Sequence, residues 1–213
     1  MTDDTPDVPA PTVRTDRLGD GWERVEASVE RLFDAGGADV WGHTLVFEDR
    51  ALREAVRDAT DGAVDQSWRF FFATRLRFRP PLAPGVGTAM VLPTVKSEGV
   101  RSFVADLRDR GIADVERGRR ERVRTASGQR VRMRQVTGRV PLPETAADSA
   151  DAVPIEGWVG AWTDDAIHLA GGAYPATRLD AVFGVEADDS ALAGSRERYR
   201  SAFFDLVRAV GEE

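Results

Sequence analysis

The sequence predicts an α+β fold in which a single antiparallel sheet of about five to seven strands is covered by helices, including a long C-terminal helix. Segments with two-residue apolar alternation follow one another across short turn signals, which is typical of hairpins. Strands do not alternate regularly with helices, so a parallel sheet is not indicated. The length of 213 residues suits one domain. We assign residues 21–213 to this domain and residues 1–20, rich in Asp, Pro and Thr, to a disordered acidic tail.

Apolar residues at helical spacing predict two clear helices. The first carries Val100, Phe103, Val104 and Leu107, and the second carries Tyr199, Ala202, Phe203, Leu206, Val207 and Val210. Ser97 is the predicted N-cap of the first helix and Gly111 its end, while Ser195 and Gly211 have these roles in the second. A shorter helix is predicted over residues 51–59.

A strand is predicted over residues 67–79, because apolar side chains at even positions alternate with arginines at odd positions. The apolar set is Trp68, Phe70, Phe72, Leu76 and Phe78, and the basic set is Arg69, Arg75, Arg77 and Arg79. Residues 40–48 form another predicted strand. The stretch 22–33 stays open between helix and strand, since its apolar positions fit both periods.

Two further strands, 155–163 and 166–174, are predicted to form a hairpin about a two-residue turn, Asp164-Asp165. This register pairs Trp162 with Ile167 and places on one face Trp158, Trp162, Ile167 and Leu169. Aromatic side chains at a period of two are more often core than pocket. We therefore expect these tryptophans and Tyr174 in the core rather than around a ligand.

The order of elements in the second half of the chain resembles a known group of proteins. A helix ending at Gly111 leads to a strand (IADVERG), a hairpin around SGQR, and the tryptophan-rich hairpin with its GGAYP exit at 171–175, before the C-terminal helix. Over roughly residues 97–210 this order and hydrophobic pattern resemble the Mog1/PsbP-like group of small α+β binding domains. The resemblance implies a binding domain of that fold, and it transfers no partner and no functional residue.

The composition limits the chemistry and the location that we expect. The absence of cysteine excludes disulfides, thiolate catalysis and cysteine-bound metals. The start is not signal-like, and no stretch reaches the roughly 18–20 apolar residues that cross a bilayer, so we expect a soluble cytoplasmic protein without membrane contact. Lys96 is the single lysine among 29 basic residues, against 36 acidic ones. A GC-rich genome and a halophilic-like, high-salt cytoplasm both explain this bias, and both stay open.

No motif points to catalysis or to a cofactor. The glycines of GVGTAM at 85–90 and of GGAYP lack the rest of a phosphate loop or a dinucleotide fingerprint and are expected in turns. There is no G-x-S-x-G, and His43 and His168 are expected to be structural. The paired aspartates at 164–165 and 188–189 suit turns. We therefore predict a protein that is not an enzyme and that uses no metal or cofactor.

The arginines are concentrated in one segment of the chain. Residues 101–139 contain twelve arginines against five carboxylates, which gives +7 in a chain of net charge −7. A three-residue loop over 126–128, with Gly128 left-handed, is a common hairpin connection and sets Val123 opposite Val131. This register buries Val123, Val131 and Met133 and gathers the predicted binding residues on the other face: Arg120, Arg122, Arg124, Arg130, Arg132 and Arg134.

Six guanidinium groups in cross-strand pairs repel one another, so their charge must be compensated. Carboxylates within the chain are one source, and the flexible acidic loop predicted at 141–154 is the nearest in sequence. An anionic partner is the other source. The arginines of the strand at 67–79 would extend this arginine-rich face if that strand lies in the same sheet. The absence of aromatic residues in 117–139 argues against a dedicated single-strand binder.

From these features we predict a non-enzymatic binding or scaffold domain that contacts an acidic protein partner through the arginine-rich sheet face. Sequence-nonspecific nucleic-acid binding through the same face is the alternative. The sequence leaves the oligomeric state open.

Overall fold

The described part of the chain forms one antiparallel sheet with helices on both faces. In this computed structural model, residues 5–35, 37–146, 150–185 and 191–211 are described. The strands are β1 (Trp22–Ala35), β2 (Ala38–Asp49), β3 (Phe70–Arg79), β4 (Ala113–Arg124), β5 (Arg130–Pro141), β6 (Ala152–Thr163) and β7 (Ile167–Pro175). Their order in the sheet is β1-β2-β3-β7-β6-β5-β4, so β1 and β4 are the edge strands. The predicted α+β class with a single antiparallel sheet is confirmed.

Two helices cover opposite faces of the sheet. The helices are α1 (Arg50–Ala59), α2 (Thr88–Asp109), α3 (Leu179–Phe183) and α4 (Arg196–Ala209). On one face, the Phe103 ring of α2 lies 5.8 Å from the Phe72 ring. On the other, the Phe203 ring of α4 lies 6.0 Å from the Phe71 ring. We call these surfaces the α2 face and the α4 face.

The predicted N-cap of α4 is confirmed, and α1, which begins at Arg50 rather than at residue 51, also has a capping bond. The Asp49 carboxylate accepts the Leu52 N–H at 3.1 Å at the start of α1. The Ser195 hydroxyl accepts the Arg198 N–H at 3.2 Å at the start of α4. Each cap satisfies a backbone donor that has no partner within its helix.

α2 begins earlier than the sequence predicts. Ser97, the predicted N-cap, lies inside the helix, which starts at Thr88 and also contains Pro93. Proline removes one backbone donor from a helix interior. The side chains of Val91 and Val95 are buried in the core, and this burial offsets the lost hydrogen bond.

The stretch that the sequence leaves open between helix and strand is β1. It pairs with β2 along its whole length, from Trp22 opposite Asp49 to Ala35 opposite Ala38. Most side chains of β1 are exposed, so burial of one face does not select the conformation. Pairing with β2 selects it, because tertiary context overrides an ambiguous local period.

β3 differs from the prediction because both of its faces are covered. Phe71 and Ala73, at odd positions, are fully buried. β3 lies between β2 and β7 in the middle of the sheet, where strands are apolar on both sides. The predicted alternation of apolar and basic residues holds only in its second half, where Arg75 and Arg77 lie on the α4 face.

The register of the β6–β7 hairpin differs from the prediction by one residue. The Asp164 N–H donates to the Ala166 carbonyl at 2.8 Å, so the turn has three residues and Trp162 lies opposite His168 rather than Ile167. A slip of one residue moves side chains to the other face. His168 stacks on Trp162, with ring centroids 5.7 Å apart. The predicted common face of Trp158, Trp162, Ile167 and Leu169 is therefore wrong.

Residues 5–20, which the sequence assigns to a disordered tail, contact the sheet. Val8 is buried, and its carbonyl accepts a hydrogen bond from His43 Nδ1 at 2.7 Å. The Thr12 carbonyl accepts the Gly211 N–H at 3.0 Å. The buried side chains of Val8, Pro11 and Leu18 and these backbone bonds hold a segment whose composition is polar, and composition alone does not reveal them. Residues 1–4 lie outside the described residues.

The loops predicted at 141–154, 85–90 and 188–189 are described in part. Residues 142–151 separate β5 from β6, within the acidic loop predicted at 141–154, and 147–149 lie outside the described part. Residues 85–90 span the connection before α2 and its first turn. The aspartate pair at 188–189 lies in a segment that is not described.

No described helix has the length and apolar character to cross a membrane.

Candidate anion-binding face and cleft

The β4–β5 hairpin has the predicted register. Val123 lies opposite Val131, and both are buried, at 5% and 0% exposure. Gly128 has φ +88°, the left-handed conformation that this turn requires, and its N–H donates to the Thr125 carbonyl at 3.0 Å. Six arginines share the opposite side of the hairpin, and we call them the arginine face: Arg120, Arg122, Arg124, Arg130, Arg132 and Arg134.

No guanidinium of the arginine face has a carboxylate partner in the part of the chain that the structure describes. Two other arginines of the same hairpin are paired: Arg119 lies 3.9 Å from Glu121, and Arg139 contacts Asp114. The described residues of the loop between β5 and β6 supply no ion pair to the face. Its charge is therefore not compensated from within the described chain.

Most of the arginine face is open to solvent. Five of the six side chains are exposed, and Arg134 is half-buried. Arg134 donates to the Gly118 carbonyl at 2.9 Å, and Arg124 donates to the Gly128 carbonyl at 3.4 Å. These bonds to neutral carbonyls orient two guanidinium groups and leave their charge uncompensated.

A β-bulge in β4 adds a further arginine to this surface. The pairing of β4 with β5 shifts between Arg117 and Arg120, so β4 carries an extra residue there. In a regular strand these two side chains would point to opposite faces, and the bulge brings both to the α2 face. The bulge contains Gly118, where a Cβ would lie 2.7 Å from Gln135 Oε1.

A cleft of about 390 Å³ lies between α2 and the arginine face. We call it the cationic cleft, because five cations line it: Lys96, Arg117, Arg120, Arg132 and Arg134. Its other lining residues are Pro93, Ser97 and Val100 of α2, with Val159, Gly160 and Leu169 of the sheet. No carboxylate is among these lining residues. The single lysine of the chain thus lies where arginines converge.

Burial and neighbouring charges lower the pKa of two cations in the cleft. The pKa of Lys96 lies below its ordinary value because of burial and then of Arg132. The pKa of Arg134 is lowered by burial and then by Arg120 and Arg117. Both shifts mean that the charged form is disfavoured. A bound anion would favour it instead.

Sequence reasoning missed Lys96 and Arg117. A glycine inside a strand pattern, such as Gly118, is a signal for a bulge, and it would have placed Arg117 on the face. No local signal places Lys96, because its position depends on how α2 packs. The arginines of β3 do not widen the face, because Arg75 lies on the α4 face and binds Asp165 at 2.6 Å.

The α2 face changes its charge on the other side of the helix. A groove of about 210 Å³ there is lined by Glu26 and Glu30 of β1 and by the Asp106–Arg110 ion pair at the end of α2, together with apolar side chains of the sheet. α2 therefore separates a cationic cleft from an acid-rimmed apolar groove.

The α4 face holds a buried charge network instead of a cleft. Glu156 is 2% exposed, and its carboxylate accepts hydrogen bonds from Trp158 Nε1 at 2.9 Å, the Tyr174 hydroxyl at 2.8 Å and Arg196 Nε at 2.9 Å. These bonds join β6, β7 and α4. The predicted core location of Trp158, Trp162 and Tyr174 is confirmed, because all three are at most 2% exposed.

Neither histidine contacts a hydroxyl group among the described residues. His168 is 1% exposed, and its Nε2 donates to Asp165 Oδ1 at 2.9 Å. Its Nδ1 has no hydrogen-bond partner among the described residues, so no hydroxyl there forms the second half of a nucleophile–base pair. His43 donates to a backbone carbonyl. Within the described ranges, no three metal-ligating side chains are grouped.

The fold and the site define an α+β domain with helices on both faces of one sheet and a cationic cleft under one of them. A family model described as a domain of unknown function (DUF6517) matches residues 10–211, and the chain therefore belongs to the DUF6517 family. No curated protein and no solved structure matches the chain. The resemblance to the Mog1/PsbP-like group stays a prediction.

Proposed function

We propose that this domain binds an acidic segment of another protein through its arginine face and catalyses no reaction. One observation carries the proposal: six guanidinium groups share one surface, and none has a carboxylate partner among the described residues. Like charges directly opposite each other destabilise paired strands. Guanidinium groups bind carboxylates through two parallel hydrogen bonds, so an acidic segment supplies the compensation that the domain lacks.

The negative charge of the chain outside residues 101–139 favours a protein segment over a nucleic acid as the partner. Since residues 101–139 carry +7 in a chain of −7, the rest of the chain carries −14. Glu26 and Glu30 line the groove beyond α2 on the same face, where Asp106 is paired with Arg110. A long polyphosphate crossing this face would meet those carboxylates and be repelled, whereas a short acidic segment along the hairpin would not reach them.

The edge position of β4 also suits an extended peptide. β4 ends the strand order of the sheet, so no strand of the described chain pairs with its outer side. An extended segment can add to such an edge through backbone hydrogen bonds. Its side chains at alternate positions would then lie on the arginine face.

The test compares two anions of similar length on the same protein. Fluorescence anisotropy is measured for a labelled peptide of about ten Asp and Glu residues and for a short DNA duplex, at several salt concentrations. The variant is Arg122→Ala with Arg130→Ala, outside the cationic cleft. The matched control is Arg24→Ala with Arg57→Ala, two exposed arginines remote from the face.

We expect the peptide to bind more tightly than the duplex and to lose about tenfold in affinity in the Arg122/Arg130 variant, since exposed charge pairs contribute roughly 0.5–1 kcal/mol each. The control variant should stay within about twofold. Tighter binding of the duplex would support the nucleic-acid function instead. Equal losses in both variants, or no peptide binding at low salt by folded protein, would contradict the proposal.

A further inference from the structure

We propose that the cationic cleft binds a small organic phosphate that carries two linked phosphoryl groups. The site lies between α2 and the β4–β5 hairpin, behind the outer arginines of the arginine face. Its volume of about 390 Å³ is that of a small-molecule pocket. The inference goes beyond the proposed function, because it concerns a different class of ligand.

The sheet wall of the cleft is built by a specific backbone irregularity. The bulge at Gly118 turns Arg117 and Arg120 to the same face. The Gly118 carbonyl also accepts the hydrogen bond from Arg134, so this one bulge positions the guanidinium groups of three arginines. Gln135 contacts the bulge from the neighbouring strand, where its Oε1 accepts the Arg119 N–H at 3.4 Å. Bulges that re-aim side chains are frequent beside binding sites.

The helical wall is held against the sheet by a close contact. A Cβ at Gly99 would lie 2.7 Å from Leu169 Cδ1, so glycine permits α2 to approach the sheet at this point. Lys96 lies one turn before Gly99, on the same side of the helix. The approach therefore carries the ammonium group of Lys96 to the cleft, near Arg132. The lysine stem covers apolar surface while its charged end reaches the cleft.

The charge of the cleft selects a multiply charged ligand. Five cations line it, and none of its lining residues is acidic. A ligand with one carboxylate would compensate only one of these cations. In a diphosphate ester the inner phosphoryl group carries about −1 and the terminal one about −1.5 to −2, which gives roughly three negative charges near neutral pH. Their several acceptor oxygens match the forked donors of four guanidinium groups.

The apolar side chains of the cleft indicate an organic body on the ligand. Val100 and Pro93 on α2 face Val159 and Leu169 on the sheet across the same cavity. Pockets for small molecules combine such apolar walls with a few converging polar groups. Inorganic pyrophosphate would use the cations alone, whereas a nucleoside diphosphate would use both parts.

Isothermal titration calorimetry at constant ionic strength provides the test, with pyrophosphate, ADP, adenosine and citrate as the ligands. We expect ADP to bind most tightly and pyrophosphate next, with citrate at least about tenfold weaker and adenosine without measurable binding. As the pH rises through the lowered pKa of Lys96, wild type should lose pyrophosphate affinity relative to Lys96→Met, because only wild type loses an ammonium group. Citrate binding as tight as that of pyrophosphate would show mere charge attraction and overturn the proposal.

Two variants separate the cleft from the rest of the arginine face. Lys96→Met and Arg117→Met remove one cation each from the cleft, and each should weaken pyrophosphate binding about tenfold, as expected for a hydrogen bond to a charged group. Arg124→Met is the matched control outside the cleft and should change it less than about twofold. Circular dichroism confirms that each variant is folded.

Equal losses in all three variants, or no pyrophosphate binding by the folded wild type, would overturn the cleft assignment. The acidic-peptide proposal is tested separately at Arg122 and Arg130. Pyrophosphate binding without peptide binding would thus refute the protein partner and retain the phosphate site.

Discussion

Where α4 meets the sheet, Arg69, Arg196 and Arg200 each contact a carboxylate. Arg69 lies 3.0 Å from Asp49, Arg196 binds Glu156, and Arg200 contacts Glu121. On the α2 face, Arg120, Arg122 and Arg132 contact no carboxylate of the described chain, although they belong to the same sheet. The same residue type is thus compensated in the first set of arginines and left uncompensated in the second.

The difference separates charges that stabilise the fold from charges that do not. A buried pair is costly to break, because the remaining partner loses both its water and its counter-charge. An exposed cluster of like charges contributes little to stability or opposes it. Features that fold stability does not explain are expected at functional sites. We therefore expect the two sets of arginines to respond in opposite directions when they are perturbed.

The largest effect is expected for the buried carboxylate Glu156. Glu156→Gln keeps the side-chain volume but replaces a carboxylate that accepts from Trp158, Tyr174 and Arg196. We expect a loss of roughly 1.5–3 kcal/mol in the free energy of unfolding, the range for hydrogen bonds to a charged group. Urea unfolding followed by circular dichroism measures it. The exposed carboxylate at Glu23, bound to Arg50, gives the control Glu23→Gln, for which a similar loss would contradict the comparison.

The same carboxylate predicts a pH dependence. Burial raises the pKa of Glu156, but hydrogen bonds from Arg196, Tyr174 and Trp158 outweigh this, so its pKa lies below the ordinary value in the folded state. The charged form therefore stabilises the protein above the ordinary carboxyl pKa of about 4.3, and this stabilisation is lost as the pH falls through the folded pKa. Wild type should lose more stability than Glu156→Gln between neutral pH and about pH 3. Parallel curves would show that the pair does not contribute.

An intermediate effect is expected at the turn that creates the arginine face. Gly128 has φ +88°, which costs a side-chain-bearing residue roughly 1–2 kcal/mol. Gly128→Ala should lower the free energy of unfolding by that amount, and Gly128→Asn by less, because asparagine tolerates this conformation. Urea unfolding distinguishes the two. Equal losses would mean that the positive φ is not the cause.

The smallest effect is expected on the arginine face, and it has the opposite sign. Arg122 and Arg132 lie opposite each other, so replacing both by glutamine should raise the free energy of unfolding at low salt by up to about 1 kcal/mol. The gain should disappear near 1 M salt, where charges are screened within about 3 Å. Arg200→Gln, which breaks a pair with Glu121, should destabilise in the same assay. A loss of stability in the Arg122/Arg132 variant would show that the fold uses these charges.

The two hairpins show what limits prediction from sequence. The β4–β5 register is predictable because only one loop length puts Val123 and Val131 together on a buried face, and Gly128 supports that loop. The β6–β7 register is not, because apolar residues lie on both faces of these central strands. A turn of two residues and a turn of three then bury equally apolar sets, so the pattern contains no preference.

The arginine face is predictable and the cationic cleft is not, for a related reason. Cross-strand neighbours follow from a register and a period of two. The cleft needs the α2 helix, whose packing through Gly99 against Leu169 joins residues distant in sequence. It also needs the bulge at Gly118, which reverses the side on which Arg117 lies.

The α+β class, the C-terminal helix, the concentration of arginines in residues 101–139 and their common face can all be predicted from the sequence, because they depend on local periods, turn residues and composition. The strand at 22–33, the contact of residues 5–20 with the sheet and the place of Lys96 beside the arginines appear only in the folded protein. Those outcomes depend on which distant segments pack together. The single lysine appears in the sequence as a mark of composition, and the packing of α2 places it in a cleft with four arginines.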